Sequence, residues 1–539
     1  ATIDALGNRT EYILDNSDNI TQVTDPLGNV TRYAYNSANL LEEIINPDGT
    51  TKTWGYNEIG KPAFFTDEEN RTTAITYNTT WNEASILLPN GGNIYYDYDL
   101  LGNRISVTDP EGRKTEYSHD REGNVLTVGV ESTKDNGNID VTIQTSYTYD
   151  MLGRVKTETD GEGNTTSYTY DRNGNVLTIT HANGSKTENS YDSLGRLIKV
   201  VDPLDRVTLY TYDSNGNLLT TTDAAGVVTR NHYENDRVIR ITQSTEDGSE
   251  ELLVKAYEYD SCGRVSKYSE RDGFTLENTY DGAGRLVKVE GSNGRVIGYT
   301  YDACDRIIET DDCGTKTFYT YTKAGKIKSV TDALGNRTEY TYNELDLLSK
   351  IVRIGDGKDH VTTFEHDLSG MLITEADALG QKTFYDYDVM GNLKYQKDRD
   401  GFETIYTRDK NGNITGIQYG DGNTVRYKYN ALNILEAVED KLGLTKIETD
   451  ILGRTVSVTN PEGEKVSYEY GPYDEKTKVV YPDGTKAEYE FDEYRRLVRL
   501  TNARDNESSE SIDYVYDELG RLSRKNYPNG TESTYEYYQ

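Results

Sequence analysis

The sequence predicts an all-β fold: about 25 tandem β-hairpins of 21 residues, joined into one long antiparallel sheet that curls into a spiral. Three observations lead there. One motif recurs at a nearly fixed interval along all 539 residues, each interval holds two turn signals about ten residues apart, and the residues between turns alternate with period two. No apolar period of 3.6 residues survives glycine and turn residues this frequent, so no helix is expected.

The recurring mark is an acidic or amide residue behind an aromatic one, as in Tyr98-Asp99-Leu100-Leu101-Gly102-Asn103. Its equivalents run from Asp15, Asn36, Asn57, Asn78, Asp99 and Asp120 through Asp150, Asp171, Asp192, Asp213 and Glu234. They continue at Asp260, Asp281, Asp302, Thr322, Asn343, Asp367, Asp388, Asp409, Asn430, Asp450, Gly471, Asp492, Asp517 and Tyr538. The step is 21 residues almost throughout, 20 twice, and 30, 26, 24 and 25 elsewhere. Self-similarity of this kind makes residues 1–539 one continuous repeat array.

Each repeat opens on a first turn, Asp-x-x-Gly-Arg/Asn, as at Asp213-Ser214-Asn215-Gly216-Asn217. A second turn follows, as at Asp25-Pro26-Leu27-Gly28 and Asp332-Ala333-Leu334-Gly335. Early proline presets φ and late glycine accepts positive φ, as a tight reversal requires. The runs between them are rich in Thr, Val, Ile and Tyr, which is a strand signature. Tyrosine recurs at i and i+2 before the first turn, at Tyr147/Tyr149, Tyr168/Tyr170, Tyr210/Tyr212, Tyr257/Tyr259 and Tyr427/Tyr429. Residues so spaced share a sheet face. Thr148, Thr169, Thr211, Glu258 and Lys428 between them point the other way. About 50 strands at roughly 4.8 Å each would run some 240 Å if flat, and a sheet that long twists instead.

The longer steps place extra polar residues near 129–142, 242–252, 353–361 and 502–512, all close to second turns and therefore expected along one edge of the ribbon. Both ends fall inside a repeat and read as cuts through a longer array; the start shows no signal peptide. Lys plus Arg is 58 and Asp plus Glu is 92, a net charge of −34. Nucleic acid is disfavoured as a partner because phosphate neutralisation needs clustered cations, as is an anionic membrane surface. No apolar stretch is long enough to span a bilayer. A hydrophobic share of 34% at this charge would suggest disorder, but 46 tyrosines supply the area a fold must bury.

The clearest copies of the repeat are Tyr98, Asp99 and Gly102; Tyr149, Asp150, Gly153 and Arg154; Tyr191, Asp192, Gly195, Arg196 and Leu197; Tyr259, Asp260, Gly263 and Arg264; and Tyr516, Asp517, Gly520, Arg521 and Leu522. The pattern Tyr-x-Tyr-Asp-x-x-Gly-Arg-Leu resembles the YD repeat of the RHS family, whose members include bacterial polymorphic toxins, the B and C components of insecticidal toxin complexes, wall-associated proteins and animal teneurins. The resemblance covers essentially the whole chain. It implies that the sheet closes as a hollow, shell-like structure, and that in the toxins the shell holds a toxic polypeptide unfolded or inactive. Toxin-bearing members end their repeats with a self-cleaving segment around an Asp-Pro-x-x-Gly-Arg-type motif, and nothing in this sequence matches it.

Chemistry is scarce. His119 and His366 occupy tyrosine slots and read as aromatic stand-ins. His181, His232 and His360 show no neighbours that read as a catalytic triad. Trp54 and Trp81 read as strand residues. Cys304 and Cys313 bracket one strand, roughly 30 Å apart, and Cys262 lies about 19 Å from Cys304, so three free thiols are expected. The loops beginning at Asp171, Asp213 and Asp409 resemble half of a calcium loop but lack its distal Glu. No catalytic residue, cofactor or metal is assigned.

The function expected is therefore a non-enzymatic shell segment of an extracellular bacterial protein, its partner a polypeptide cargo or the remainder of the parent protein. The alternative is an adhesion or carbohydrate-binding module with a glycan or cell-surface partner, against which stands the presence of only two tryptophans. A β-propeller would need some twelve four-stranded blades, beyond the usual range.

Overall fold

The computed structural model describes residues 1–133, 139–245, 251–355, 357, 359–492, 494–503, 509–517 and 519–537, with backbone only at 132, 133, 139 and 140. Among these residues there are fifty strands, all antiparallel, in one sheet that does not close into a barrel, and there is no helix. The all-β hairpin array expected from the sequence is present. Strands adjacent in sequence are adjacent in the sheet: Thr165–Tyr170 pairs with Val176–Thr180, which pairs with Lys186–Tyr191. Residues 134–138, 246–250, 356, 358 and 504–508, in the four longer loops, lie outside the described residues. Their flanks continue as strand, most clearly in Val125–Thr133 and Ile139–Tyr149.

First and second turns close in the same way. At Asp150 the N–H of residue one donates to the carbonyl of residue five, Arg154, at 2.9 Å. The N–H of residue four, Gly153, returns to the Asp150 carbonyl at 3.1 Å. The second turn at Asp160 repeats this with Asn164 and Gly163, both at 3.0 Å. Residue four is left-handed, with φ 76° at Gly153 and 90° at Gly163. Where glycine is missing, Asn39, Asp205 or Asp346 takes the same conformation, as short polar side chains can. Trp81 also sits there, at φ 63° in the turn Asn78–Asn82. It is thus a turn residue and not the strand residue its hydrophobicity suggested; Trp54 does lie in a strand, Thr51–Tyr56.

Among the described residues, a bulge recurs in the hairpins closed by first turns; the hairpin between Arg237–Ser244 and Leu252–Tyr259, closed by a long second turn, has a shift of its own at Ile241/Thr242. Tyr149 pairs with Val155 and Thr148 with Thr157, so Lys156 is one residue too many. The same shift falls at Thr169/Tyr170, Ser190/Tyr191 and Thr211/Tyr212. The second-turn hairpin between Val155–Asp160 and Thr165–Tyr170 is in plain register. An extra residue on one strand bends it and adds twist. Recurring beside first turns, it gives hairpin after hairpin the same local irregularity.

Burial follows the predicted alternation. Tyr168, Tyr170, Tyr210 and Tyr212 are half-buried, while Thr169 and Thr211 between them are exposed. The opposite face is nonetheless not simply solvated. Ser106, Thr220, Ser329, Thr374 and Ser457 are buried, each directly across the strand pair from the residue between two aromatic slots. Ser106 donates to Asp97 at 2.7 Å and Ser457 to Glu448 at 2.6 Å, so this face carries a column of hydrogen-bonded small side chains.

The chain divides into two compact units. One comprises Ala1–Ile143, Tyr259–Ser266 and Leu276–Ile405; the other comprises Gln144–Glu258, Lys267–Thr275 and Tyr406–Gln539. Each therefore contains an earlier and a later run of hairpins.

Candidate functional site: the turn clamp and the seam

The signature Tyr-Asp-x-x-Gly-Arg-Leu builds a clamp that is completed by the tyrosine one repeat on. Asp150 Oδ1 accepts the N–H groups of Leu152 and Arg154 at 2.8 and 3.1 Å. Its Oδ2 accepts Arg154 Nε at 2.7 Å. Fixed there, the Arg154 guanidinium lies 4.5 Å over the ring of Tyr170, one repeat on, and donates to the Asp171 carbonyl at 2.9 Å. Tyr170 Oη donates to the carbonyl of Val155, the residue after the arginine, at 2.6 Å.

The same contacts recur down the chain. Arg196, held by Asp192, stacks 4.8 Å over Tyr212, whose hydroxyl donates to the Leu197 carbonyl at 2.8 Å. Arg264, held by Asp260, lies 4.4 Å over Tyr280. Arg521, held by Asp517, lies 4.7 Å over Tyr537, which donates to the Leu522 carbonyl at 2.8 Å. Tyr191 and Tyr516 make the equivalent bonds to Val176 and Leu497 at 3.0 and 2.9 Å. At Asp99, Asn103 replaces the arginine and donates through Nδ2 at 2.9 Å. Gly102, Gly195, Gly263 and Gly520 all hold the left-handed turn position. Tyr98 and Tyr149 stand at the bulges, and Tyr259 closes the strand Leu252–Tyr259.

The clamp sets the electrostatics. The Arg154 hydrogen bond, against some desolvation, holds the Asp150 carboxyl below its ordinary range. The backbone N–H of Arg196 does the same for Asp192. At Asp4 the Asn8 side chain lowers the carboxyl to about 2. His119 and His366 fill tyrosine slots as expected; the Nδ1 of each is buried without a hydrogen-bond partner, and burial lowers the His366 pKa.

A second constellation was not visible in the sequence. In each unit, second turns of the earlier run meet first turns of the later run, 248 to 278 residues further on. In the first unit Arg306 pairs with Asp48 at 3.0 Å and Arg71 with Asp346 at 2.9 Å. Asn90 Nδ2 donates to the Leu368 carbonyl, and the Leu368 N–H donates to Glu111, both at 3.0 Å. In the second unit Arg206 reaches Asp474 and the Pro472 carbonyl, both at 2.9 Å. Asn411 donates to Asp160 at 2.7 Å, and Arg495 pairs with Asp223. No local signal marks these partners, because they lie about twelve or thirteen repeats apart.

Cys262, Cys304 and Cys313 carry free thiols. Cys304 lies at this seam beside Asp48, where burial pushes its thiol pKa up. The three half-calcium loops use their carboxylates internally: Asp171 accepts N–H groups of Asn173 and Asn175 and the Asn175 amide. One histidine has neighbours that the sequence did not reveal. His232 Nε2 lies 3.0 Å from Thr242 Oγ1, which donates to Glu251 at 2.9 Å, with Arg240 holding Glu251 at 3.1 Å. Thr242 is fully buried and its hydroxyl is committed to the carboxylate, so the trio anchors strands and presents no nucleophile.

With the clamp described, its family can be stated. The Teneurin YD-shell family matches residues 119–309, 287–401 and 394–539, more than three quarters of the chain, and the RHS repeat matches 15–51 and 98–138. The chain belongs to the YD-shell repeat family. Solved structures share this YD-shell fold at 13% identity. They include TcdB2–TccC3 without its hypervariable C-terminal region (TM-score 0.60, covering 94% of this chain and 34% of that one). TcdB2–TccC3–Cdc42 (0.56, 93% and 32%) is similar, as is a Tc holotoxin pore of Photorhabdus luminescens carrying a TccC3 mutation (0.57, 98% and 34%). The YD-shell chain spans about a third of the length of each. No curated protein matches its sequence.

Proposed function

We propose that this chain is a non-enzymatic wall segment of an extracellular shell that encloses a polypeptide cargo, toxic or kept unfolded. The observation that carries the reading is the seam. A ribbon one strand thick protects nothing while its turn edges stand apart; here earlier and later runs are joined in both units by ion pairs and hydrogen bonds. A sheet whose backbone groups are paired and whose edges are joined bars proteases and other chains from the space behind it. The similar solved structures carry the names of more than one protein, TcdB2 with TccC3 and in one case Cdc42, which favours a polypeptide partner over a small ligand.

Small-angle X-ray scattering tests the enclosed volume. A solid globule of this length would have a radius of gyration of about 24 Å. A clearly larger value with a scattering minimum is expected, and a value near the solid one would overturn the reading.

A further inference from the structure

One first turn at the seam of the second unit has a near twin outside the seam in the same unit. Asp409-Lys410-Asn411-Gly412-Asn413 and Asp171-Arg172-Asn173-Gly174-Asn175 share aspartate, asparagine and glycine at every position but the second. Asn173 is exposed. Asn411 is half-buried, and its Nδ2 donates to Asp160 Oδ2 at 2.7 Å and to Asn433 Oδ1 at 2.8 Å. Its Oδ1 is buried without a hydrogen-bond partner, which native structures rarely leave. The amide cannot turn over to find one, because the Asp160 carboxylate can only accept. The turns are pressed together: a Cβ at Gly161 would fall 2.8 Å from the Lys410 carbonyl oxygen. Beside this contact the Lys410 N–H donates to Glu162 Oε1 at 2.9 Å, so two acidic residues of the second turn face this first turn.

Asparagine before glycine is the pair that most readily loses its amide, because glycine has no Cβ to shield its nitrogen or restrict its backbone. The Gly412 nitrogen attacks Cγ of Asn411. A C–N bond forms, the Cγ–Nδ2 bond breaks, and ammonia leaves with the Gly412 proton. Water then opens the cyclic imide to aspartate or iso-aspartate. The turn restrains both pairs alike, since Gly412 donates to the Asp409 carbonyl at 3.1 Å and Gly174 to the Asp171 carbonyl at 3.3 Å. At Asn411 the amide is held across the seam as well. We propose that Asn411-Gly412 is a deamidation site whose reaction is a one-way latch: it proceeds when the seam opens and then prevents reclosure. The product sets a carboxylate where the amide donated to Asp160, and like charges that close repel. Asn90-Gly91 in the first unit and Asn183-Gly184 in the second also donate across a seam, but to the carbonyls of Leu368 and Ile451. A carbonyl opposes a new carboxylate less than a charge does, which singles out Asn411. The inference concerns the seam and stands whether or not a cargo is enclosed.

The unaltered full chain, held in mildly alkaline buffer and then digested in acid, gives both rates by mass spectrometry of its peptides. Asn411 should react at least about tenfold more slowly than Asn173, because the seam must open first. The two rates should converge in denaturing urea, where only the local sequence remains. Hydrogen exchange at the Lys410 N–H, itself bonded across the seam, reads the consequence. Asn411→Asp should abolish its protection. Asn411→Ala, which removes the same bonds without adding a charge, should lower it less, and Asn173→Asp should leave it unchanged. The rate comparison needs no variant and decides the matter even if Asn411→Asp does not fold. Equal rates at Asn411 and Asn173 in the native chain overturn the proposal. So does an Asn411→Asp chain that keeps Lys410 protected, or an Asn411→Ala chain that loosens the seam as far as Asn411→Asp.

Discussion

Arg285 shows what one residue of the signature does. It donates to Asp281 at 2.7 Å, to the Asp302 carbonyl at 3.1 Å and to Asp305 at 2.7 Å, and lies 4.6 Å over Tyr301. A flat fork with several donors can do all of this; an ammonium cannot. Tyr301 completes the clamp by donating to the Leu286 carbonyl at 2.7 Å. Tyr301→Phe should therefore cost about 0.5–1.5 kcal/mol locally. Arg285→Lys should cost more, because it loses stacking and two acceptors together. Hydrogen exchange of the strand Val296–Tyr301 measures both. Equal protection in Arg285→Lys and wild type would refute the clamp. The Asp, Gly and Arg were legible in the sequence as a turn. The reach of arginine into the next repeat was not, because local pattern reports turn chemistry and says nothing of what lies across a strand.

At the scale of the element, the period of 21 and the alternation of tyrosine with threonine carried the strands and their faces correctly. The bulge stayed hidden because a residue added in every copy leaves the period unchanged. It makes a specific expectation possible. Deleting Lys156 restores plain pairing, since Tyr149 still meets Val155 and Thr148 still meets Thr157. The hairpin should form, but with its bend lost, and the Asp160 turn should pull away from Asn411. Deleting Glu158 instead turns every following side chain in that strand to the wrong face. Exchange protection should thus fall only at the seam in the first variant and throughout the hairpin in the second. Trp81 was misread for a related reason: its hydrophobicity suggested a strand, while its place at residue four of a turn was decided by the register of Asn78 and Asn82.

Across the whole molecule the turn carboxylates act together. Those of Asp4, Asp99, Asp150, Asp192, Asp213 and Asp517 are held below the ordinary value. A group depressed in the folded state stabilises above its unfolded pKa, 3.8 here, and loses that contribution as pH falls through the folded value, about 2 at Asp4. Tyrosine supplies the opposite limb. The Glu270 hydrogen bond pushes Tyr268 up to about 12, so its contribution is complete below 10 and lost as pH rises toward 12. Between neutrality and the isoelectric point near 4.6, acidification also relieves the repulsion of 34 negative charges. The urea midpoint should hold or rise from pH 7 to about 4.6, then fall below 3.8 and again above 10. A midpoint that declines steadily from neutrality would contradict this.

The clamp also governs how such a wall comes apart. Arg154 is finished by Tyr170, Arg196 by Tyr212 and Arg521 by Tyr537, so a row is locked by the row that follows it, as stitches are in knitted cloth. A nick or a misfolded hairpin in the middle leaves neighbours on both sides still gripping. Pulled from an end, the fabric yields one loop at a time, each freed row loosening the next and the turn it meets at the seam, as the turn of Arg495 would release Asp223. A polypeptide organised this way resists tearing in its interior and remains open to orderly unravelling from its margins.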